Sequence, residues 1–198
     1  MKELKTTLDK DLLNKTLKNG GVIAFVTDTV WGLGCLPSSK AGVDKIYEIK
    51  GRDRTKPLIL MSDKEENLIP YIKELPKHAK KLMEKHFPGA LTLVFEKSEI
   101  TPDYITSGKN TVGIRIPDNT FFKNLCSIID GGVLATTSAN LSNQPSSKTF
   151  EETKASVGQY VDYVFDDNGH HCKGKESTVV LITEDSFQIL RQGSIFIK

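Results

Sequence analysis

The chain has 198 residues, 38% of them hydrophobic and 26% charged, with a formal net charge of +2, which fits one globular domain and makes nucleic-acid binding a poor default expectation. Its three cysteines are odd in number and widely spaced, which argues against a disulfide framework and predicts reduced thiols. Residues 1–19 lack the apolar stretch of a signal peptide, and no segment approaches the roughly 20 apolar residues of a membrane span, so we expect a single domain over residues 1–198 in the cytoplasm, without membrane contact.

Helical and extended patterns alternate along the chain. Apolar spacing predicts a helix over residues 8–17, a buried strand over residues 22–26, a turn-rich stretch over residues 27–34, and a second helix over residues 43–50 that Gly51 caps. Further strands are predicted at residues 58–61, 90–95, 112–116, 133–136, 160–165, 178–182 and 187–190, with helices within residues 63–87 and at 121–129. This alternation predicts an α/β fold in which helices pack on a twisted mixed sheet of about seven strands.

Arginine is rare in this chain. Only four of the 27 basic residues are arginine: Arg52, Arg54, Arg115 and Arg191. Lysine supplies most of the positive charge in this chain. The planar guanidinium of arginine binds a carboxylate or a phosphate through two hydrogen bonds, which the ammonium of lysine does less well. Because the arginines lie at the ends of predicted elements, we predict that they meet at one anion-binding site. The alternative is that lysine-biased codon usage simply left these four arginines in the chain.

Three polar segments follow predicted elements, where open α/β sheets usually bind ligands. Thr27, Asp28 and Thr29 either grip a small polar molecule or form an Asx-type turn or helix cap, the commoner role. The second segment is either a phosphate clamp or a solvated charge run, and it holds Lys50, Arg52 and Lys56. The third carries groups that either bind phosphate oxygens or cap a helix beginning near Thr149, and it holds Ser138, Asn140, Ser142, Ser146 and Ser147.

Two tempting motifs fail on their spacing. Residues 169–175 begin like a P-loop, but Glu176 stands where a Ser or Thr must bind magnesium, and a strand-like run follows where a helix is required. His170, His171 and Cys172 are adjacent in the sequence, and that spacing does not place three side chains around one zinc ion. We therefore predict no metal site built from protein side chains.

Five blocks of the sequence, in order, resemble the YrdC-like threonylcarbamoyl-AMP synthases. They are residues 21–34, 50–58, 88–92, 113–115 and 137–140, and the pairing of Lys-Gly-Arg at 50–52 with Ser-Ala-Asn at 138–140 is the family signature. The resemblance implies a single YrdC-like domain with an open concave ligand groove. It also implies a nucleotidyltransferase that combines L-threonine, bicarbonate and ATP into threonylcarbamoyl-AMP and pyrophosphate, for modification of the adenosine beside the anticodon in tRNA.

The same resemblance assigns roles to individual residues. Threonine would contact Thr29, Arg115, Thr136 and Ser177. ATP, as a substrate, would contact Lys50, Arg52, Lys56, Thr111, Ser138, Asn140, Ser146 and Arg191, of which Lys50, Arg52, Ser138 and Asn140 would be catalytic. Mg²⁺ would be bound mainly through the phosphates. Downstream tRNA-modification proteins would receive the product, and a weak contact with tRNA or other RNA stays open.

The chemistry implied needs no dedicated nucleophile on the protein. If a carbamate derived from threonine attacks the α-phosphorus of ATP, the protein must chiefly position two anions and offset their repulsion. Asp28 is the nearest candidate base for the threonine amine. The chain departs from the family pattern at Val26 (often proline), at Trp31 (usually tyrosine or phenylalanine) and at Met61, where longer relatives can carry a histidine. It also ends soon after Arg191, so we expect the short, single-domain form of the family.

Two functions of other kinds remain as alternatives. The chain would be an RNA-binding accessory factor in tRNA or ribosome maturation if a lysine-rich face contacted the nucleic-acid backbone. It would be another carbamoyl-transfer enzyme if its reaction ignored threonine. Dependence on threonine therefore separates the three functions.

Overall fold

The computed structural model of the chain describes residues 9–51 and 54–197. The start of the first predicted helix at Leu8 and the predicted site residue Arg52 lie outside this part of the chain. In the described residues, no helix is both long and apolar enough to cross a bilayer.

Except for a four-residue helix at Asp103–Thr106, which was not predicted, the helices lie close to the positions that the sequence predicts. They are α1 (Lys10–Lys18), α2 (Lys40–Lys50), α3 (Glu65–Leu68), α4 (Lys77–His86), α5 (Asp103–Thr106), α6 (Thr120–Ile128) and α7 (Phe150–Val157), with a turn of 3-10 helix over Ile69–Tyr71. Side chains cap several of them: Asp9 accepts from backbone N–H groups at the start of α1, and Thr149 does so at the start of α7. The predicted cap at Gly51 is confirmed, because this residue ends α2 in the left-handed region with φ of 56°.

The strands form one mixed sheet, as predicted. They are β1 (Ile23–Phe25), β2 (Gly32–Cys35), β3 (Ile59–Ser62), β4 (Leu91–Glu96), β5 (Thr111–Arg115), β6 (Val133–Ser138), β7 (Tyr163–Val164), β8 (Thr178–Ile182) and β9 (Phe187–Arg191). Their order across the sheet is β7-β1-β2-β6-β3-β5-β4-β8-β9, with parallel pairs at β7 and β1, at β3 and β5, and at β4 and β8. The sheet has nine strands in the described residues, against about seven expected.

Strand β2 is a strand that the sequence pattern misses, since residues 27–34 were expected to be turns. Glycine is depleted in strands, and two of the four β2 residues are Gly32 and Gly34. The structure explains both, because they pair with β1 beside the ring of Phe25. A Cβ atom at Gly34 would lie 2.8 Å from a ring carbon of Phe25, so a larger residue would displace the ring.

The two faces of the sheet are covered unequally. One face packs against α2, α3, α4, α5 and α7 through a large apolar cluster that includes Val43, Ile46 and Met83. The other face packs against α1 and α6 through a smaller cluster that joins Leu17 and Phe122 to residues of β1, β3 and β6. Two helices cannot cover nine strands, so part of this second face is free of helices.

Candidate active site

A cavity of about 260 Å³ opens on the face that carries α1 and α6, and none of its lining residues comes from these two helices. Its floor is formed by adjacent strands, because Ile59 of β3 pairs with both Gly113 of β5 and Thr136 of β6, and these residues share one face. The residues predicted for the site that line the cavity are Thr29, Arg115, Thr136, Ser138, Ser146, Ser177 and Arg191. The open concave groove expected from the resemblance therefore lies where these residues meet.

Arg115 is held in place by three bonds to protein atoms. Its Nη2 forms an ion pair with Oδ1 of Asp28 at 2.5 Å, its Nη1 donates to Oγ1 of Thr29 at 2.7 Å, and its Nε donates to the carbonyl oxygen of Gly89 at 3.0 Å. Both members of the ion pair are buried, with exposed fractions of 2% for Arg115 and 5% for Asp28. Burial lowers the pKa of the Arg115 guanidinium while the Asp28 carboxylate opposes that change, and arginine keeps its charge at any physiological pH.

The arrangement leaves part of the guanidinium for a ligand. A guanidinium has five N–H donors, of which the described residues engage three in Arg115. One N–H on each terminal nitrogen therefore remains for an anion in the cavity that Arg115 lines. Asp28 does not line the cavity, and its carboxylate is committed to Arg115, so we assign it to holding the arginine rather than to taking a proton from a substrate.

The turn before β2 has the local bonding of the turn alternative considered for residues 27–29, and it also places Thr29 at the cavity. Thr27 Oγ1 donates to the carbonyl of Val30 at 2.6 Å and accepts from the backbone N–H of Thr29 at 3.2 Å, which is the local turn bonding expected of a threonine there. That bonding places Thr29 Oγ1 in contact with Arg115 at the cavity wall. The turn is therefore structural at Thr27 and presents Thr29 to the site.

Lys50 is buried, which rules out a solvated charge at this position. Only 3% of Lys50 is exposed, and its ammonium donates to the carbonyl oxygens of Ser138 at 2.6 Å and Asn140 at 2.8 Å and to Oδ1 of Asn140 at 2.9 Å. These bonds join the end of α2 to the end of β6 across 88 residues of sequence. Lys50 does not line the cavity, and in this geometry it holds the segment that does.

Asn140 organises the same segment. Its Oδ1 accepts from Ser138 Oγ at 2.6 Å, and its Nδ2 donates to the carbonyl oxygens of Leu141 and Gln144 at 2.9 and 2.6 Å. Both ends of the amide are thus used inside the protein, and Asn140 lies behind the cavity wall while Ser138 lies on it. An ATP contact from Lys50 or Asn140 stays a prediction.

The opposite wall combines hydroxyl groups with charges of both signs. Ser177 Oγ lies 2.8 Å from Oγ1 of Thr92, and Arg191 donates from Nε and Nη2 to the carbonyl oxygen of Ser177 at 3.2 and 2.9 Å. A β-bulge between Val179 and Val180 shifts the pairing of β8 with β9, and Arg191 pairs at that point. Bulges re-aim side chains at the ends of strands, and this one places Arg191 at the cavity.

Glu176 is the carboxylate of this wall. Its Oε1 accepts from Ser146 Oγ at 2.9 Å. Burial opposes its ionisation, but hydrogen bonds from its own backbone N–H and from Ser146, with the charges of Arg191 and Lys148, outweigh that effect and lower the pKa of the Glu176 carboxyl. The group is therefore an anion at neutral pH, in contact with the predicted ATP residue Ser146 and close enough to Arg191 to feel its charge.

This lowered pKa predicts how Glu176 affects stability with pH. A carboxyl group with a lowered pKa in the folded chain stabilises it fully above the unfolded value, about 4.3 for glutamate, and the effect is lost as the pH falls through the folded value. We expect Glu176→Gln to be less stable than the unaltered chain by under about 1 kcal/mol at pH 7, and the two to converge below about pH 4. Urea unfolding at both pH values measures this, and a gap that widened at low pH would contradict the assignment.

Gly193 supports the same wall from behind. A Cβ atom at this position would lie 2.3 Å from the carbonyl carbon of Ser177 and 2.4 Å from the carbonyl oxygens of Ser177 and Glu176. We therefore expect Gly193→Ala to force the backbone at Ser177 away, to cost about 1–3 kcal/mol and to weaken ligand binding in the cavity.

Thermal unfolding and calorimetric titration of the ligand measure the effect at Gly193. The matched control is Gly131→Ala at the far end of β6, where a Cβ meets no atom within 4 Å but the φ of 81° still strains an alanine. The control is expected to lose stability and keep ligand affinity. Equal ligand affinity in both variants would contradict the role given to Gly193.

Four predicted residues do not line the cavity within the described part of the chain. Lys50 and Asn140 lie behind it, Lys56 is exposed in the turn before Pro57, and Thr111 begins β5 at the end opposite Arg115. The expectation that all arginines converge is wrong for Arg54, whose guanidinium pairs with the Asp44 carboxylate at 2.5 Å on the surface. Arg115 and Arg191 do meet at the cavity, and Arg52 lies outside the described residues.

Sequence reasoning assigned no site role to Thr92 and Glu176, which both line the cavity. Thr92 is a buried polar residue between the apolar residues Leu91 and Leu93, a signal that could have marked it. Glu176 was read only as a mismatch to the P-loop pattern, and no local signal distinguished it from other charged loop residues. Both residues reach the cavity because strands β4 and β8 are neighbours in the sheet, and no sequence pattern predicts that pairing.

Comparisons with known proteins agree with the resemblance seen in the sequence. The Sua5_yciO_yrdC family model, described as "Telomere recombination", matches residues 15–193. The Pyrococcus abyssi protein named threonylcarbamoyl-AMP synthase is 35% identical over 179 residues, which are 90% of this chain and 52% of that protein. The Vibrio campbellii protein of the same name is 30% identical over 181 residues, which are 90% of this chain and 96% of that protein.

Solved structures add the fold. The crystal structure of P. abyssi Sua5 complexed with L-threonine superposes with a TM-score of 0.86 at 34% identity, over 93% of this chain and 54% of that chain. The chain thus spans about half the length of the P. abyssi protein and nearly all of the V. campbellii protein. The match of fold, of sequence and of the family model over most of its length places this chain in the Sua5/YciO/YrdC family.

Proposed function

We propose that the chain is an L-threonylcarbamoyl-AMP synthase, which condenses L-threonine, bicarbonate and ATP and releases pyrophosphate. The observation that carries the proposal is Arg115, whose guanidinium is fixed by Asp28, Thr29 and Gly89 yet has two N–H donors left for an anion. A paired, planar donor of this kind suits a carboxylate. The relatives named threonylcarbamoyl-AMP synthase, and the Sua5 structure with bound L-threonine, support threonine as the bearer of that carboxylate.

Threonine would bind with its carboxylate on Arg115 and its remaining polar groups among the hydroxyls of the cavity. Thr29 and Thr136 lie on one side, and the Thr92 and Ser177 pair lies on the other. A cavity lined by hydroxyl groups discriminates well between ligands, because an analogue that lacks the matching polar group forms no hydrogen bond with them. This arrangement favours a hydroxy amino acid over an apolar one.

ATP would lie beside threonine, with its phosphates between Ser138, Ser146 and Arg191. Mg²⁺ keeps much of its water and binds chiefly to phosphate oxygens, and the cavity offers one carboxylate, Glu176, to complete its shell. When bound, the ion would offset phosphate charge during attack on the α-phosphorus. Arg191 and the hydroxyl groups would hold the reacting anions in line, which is the main demand of this chemistry.

No residue is assigned as a base for the threonine amine. Because Asp28 is committed to Arg115, the proton of the amine would leave to solvent or to bicarbonate at the open side of the cavity. We further propose that the enzyme acts in the cytoplasm and passes its product to a tRNA-modification protein.

The test is pyrophosphate release from ATP, with bicarbonate present and amino acids added one at a time. We expect release with L-threonine and little with L-valine, which has the same shape without the hydroxyl. Release with no amino acid dependence would indicate another carbamoyl-transfer enzyme. No release, together with salt-sensitive RNA binding, would indicate an RNA-binding accessory factor.

A further inference from the structure

The strand beside Arg115 presents apolar side chains to the cavity. Met61 of β3 pairs with Arg115 of β5, and Ile59, two residues earlier on β3, lies on the same face of the sheet. Met61 and Ile59 both line the cavity, and Met61 is only 7% exposed. The guanidinium assigned to a carboxylate therefore has an apolar neighbour across the β3–β5 pair.

Gly113 allows two methyl groups to approach each other on this face. A Cβ atom at Gly113 would lie 2.8 Å from Cγ2 of Ile59 and 3.4 Å from Cγ2 of Thr92. Ile59 belongs to β3 and Thr92 to β4, which are the two neighbours of β5, so the methyl groups cover Gly113 from both sides. A side chain at position 113 would push them apart, which explains a glycine in the middle of a central strand.

The hydroxyl groups on this face bond to other parts of the protein. Thr92 Oγ1 lies 2.8 Å from Ser177 Oγ, and Thr136 Oγ1 donates to the carbonyl oxygen of Ile59 at 3.2 Å. Thr92 thus directs its hydroxyl group toward Ser177 and its methyl group toward Gly113. An apolar floor results, formed by Ile59, Met61 and the methyl group of Thr92.

Threonine carries one methyl group that this floor can receive. Only Cα and Cβ separate that methyl group from the carboxylate carbon, so a threonine bound to Arg115 must place it near the residues beside this arginine. Serine has the same carboxylate, amine and hydroxyl groups and lacks the methyl group. The hydroxyl groups of the cavity account for rejection of valine, but they do not separate threonine from serine.

We infer that the apolar floor receives the methyl group of the amino-acid substrate and makes the chain select threonine over serine. The inference rests on the proposed function and adds the residues that set its specificity. One methylene group in a hydrophobic pocket discriminates between ligands by roughly 10- to 200-fold. Because the floor covers one side of the cavity, we expect the lower end of that range, with serine bound about tenfold more weakly than threonine.

The unaltered chain allows a direct test of the contact. It has three methionines, so labelling their methyl groups with ¹³C gives a simple spectrum in which Met61→Leu identifies one signal by its loss. We expect L-threonine to shift the Met61 signal and to show a nuclear Overhauser effect between its own methyl group and that of Met61. Since leucine nearly conserves the apolar volume, Met61→Leu should keep the preference for threonine within about threefold.

A truncated side chain tests the selectivity. Met61→Ala removes apolar contact beside Arg115 and keeps the three bonds that hold the guanidinium. By calorimetry we expect threonine affinity to fall about fivefold and serine affinity to stay within about twofold, so that most of the preference is lost. The matched control is Met83→Ala, a buried methionine of α4 in the cluster on the other face of the sheet, which should lose stability and keep the preference.

The outcomes separate the inference from the function on which it rests. If threonine does not bind by calorimetry, both are overturned. If threonine binds, but serine binds equally well and no methyl contact with Met61 is seen, the proposed function stands and the role of the apolar floor is overturned. If Met61→Ala weakens threonine and serine to the same extent, Met61 only supports Arg115, and the inference is overturned as well.

Discussion

Replacing Arg115 with methionine is expected to lower the free energy of unfolding by about 3–5 kcal/mol and to reduce kcat/KM for threonine roughly 100-fold or more. The stability is lost because Asp28 would stay buried, at 5% exposure, without its cation. The activity is lost because the two remaining N–H donors leave with the guanidinium. Urea unfolding and threonine-dependent pyrophosphate release measure the two effects.

A second variant separates these effects. Asp28→Asn combined with Arg115→Met removes the unpaired charge, and we expect it to recover most of the lost stability, as neutral replacements of buried ion pairs often do. It should recover none of the activity, since the donor for the carboxylate is still missing. If Arg115→Met kept turnover within about threefold of the unaltered chain, the carboxylate site would have to lie elsewhere.

Replacing Lys50 with methionine is expected to cost about 3–5 kcal/mol and to abolish measurable turnover, although Lys50 does not line the cavity. The ammonium satisfies two backbone carbonyl oxygens and the Asn140 amide oxygen, and methionine would leave them buried without a donor. The end of β6 would then shift, and Ser138 with it. Thermal unfolding should show a fall of roughly 10 °C for a chain of this size.

The matched control is Lys80→Met on α4, an exposed lysine changed in the same way. Its stability should stay within about 0.5 kcal/mol of the unaltered chain, with normal turnover. A contrary result, in which Lys50→Met kept its stability and lost only ATP affinity, would return Lys50 to the direct phosphate contact that the resemblance implies.

Local patterns predicted most of the fold. Apolar spacing located the helices α1, α2 and α6 and most of the strands, because burial of one face imposes a period on the sequence. They failed at β2, where Gly32 and Gly34 resemble a turn until the ring of Phe25 is placed above them. Strand propensity reflects neighbours across the sheet, and those neighbours are not adjacent in sequence.

The sequence predicted which types of residue form the candidate site, but it did not predict how all of them are arranged. The scarcity of arginine singled out Arg115 and Arg191, and the family motifs singled out Thr29, Ser138 and Ser177, all of which line the cavity. The same reasoning placed Arg54 with them, but its partner is Asp44, ten residues away along the chain and on the surface. Residue type gives the chemistry of a group and leaves its direction undetermined.

Patterns and motifs in the sequence were enough to predict the fold class, the family and the residue types of an anion-binding site. The packing of strands and helices places Asp28 against Arg115 and puts Lys50 and Asn140 behind the cavity wall, which no sequence pattern predicted. The physical reason is that these roles depend on which atoms lie within about 3 Å of each other. Strand register and helix packing set those distances, across as many as 90 residues of chain between Lys50 and Asn140.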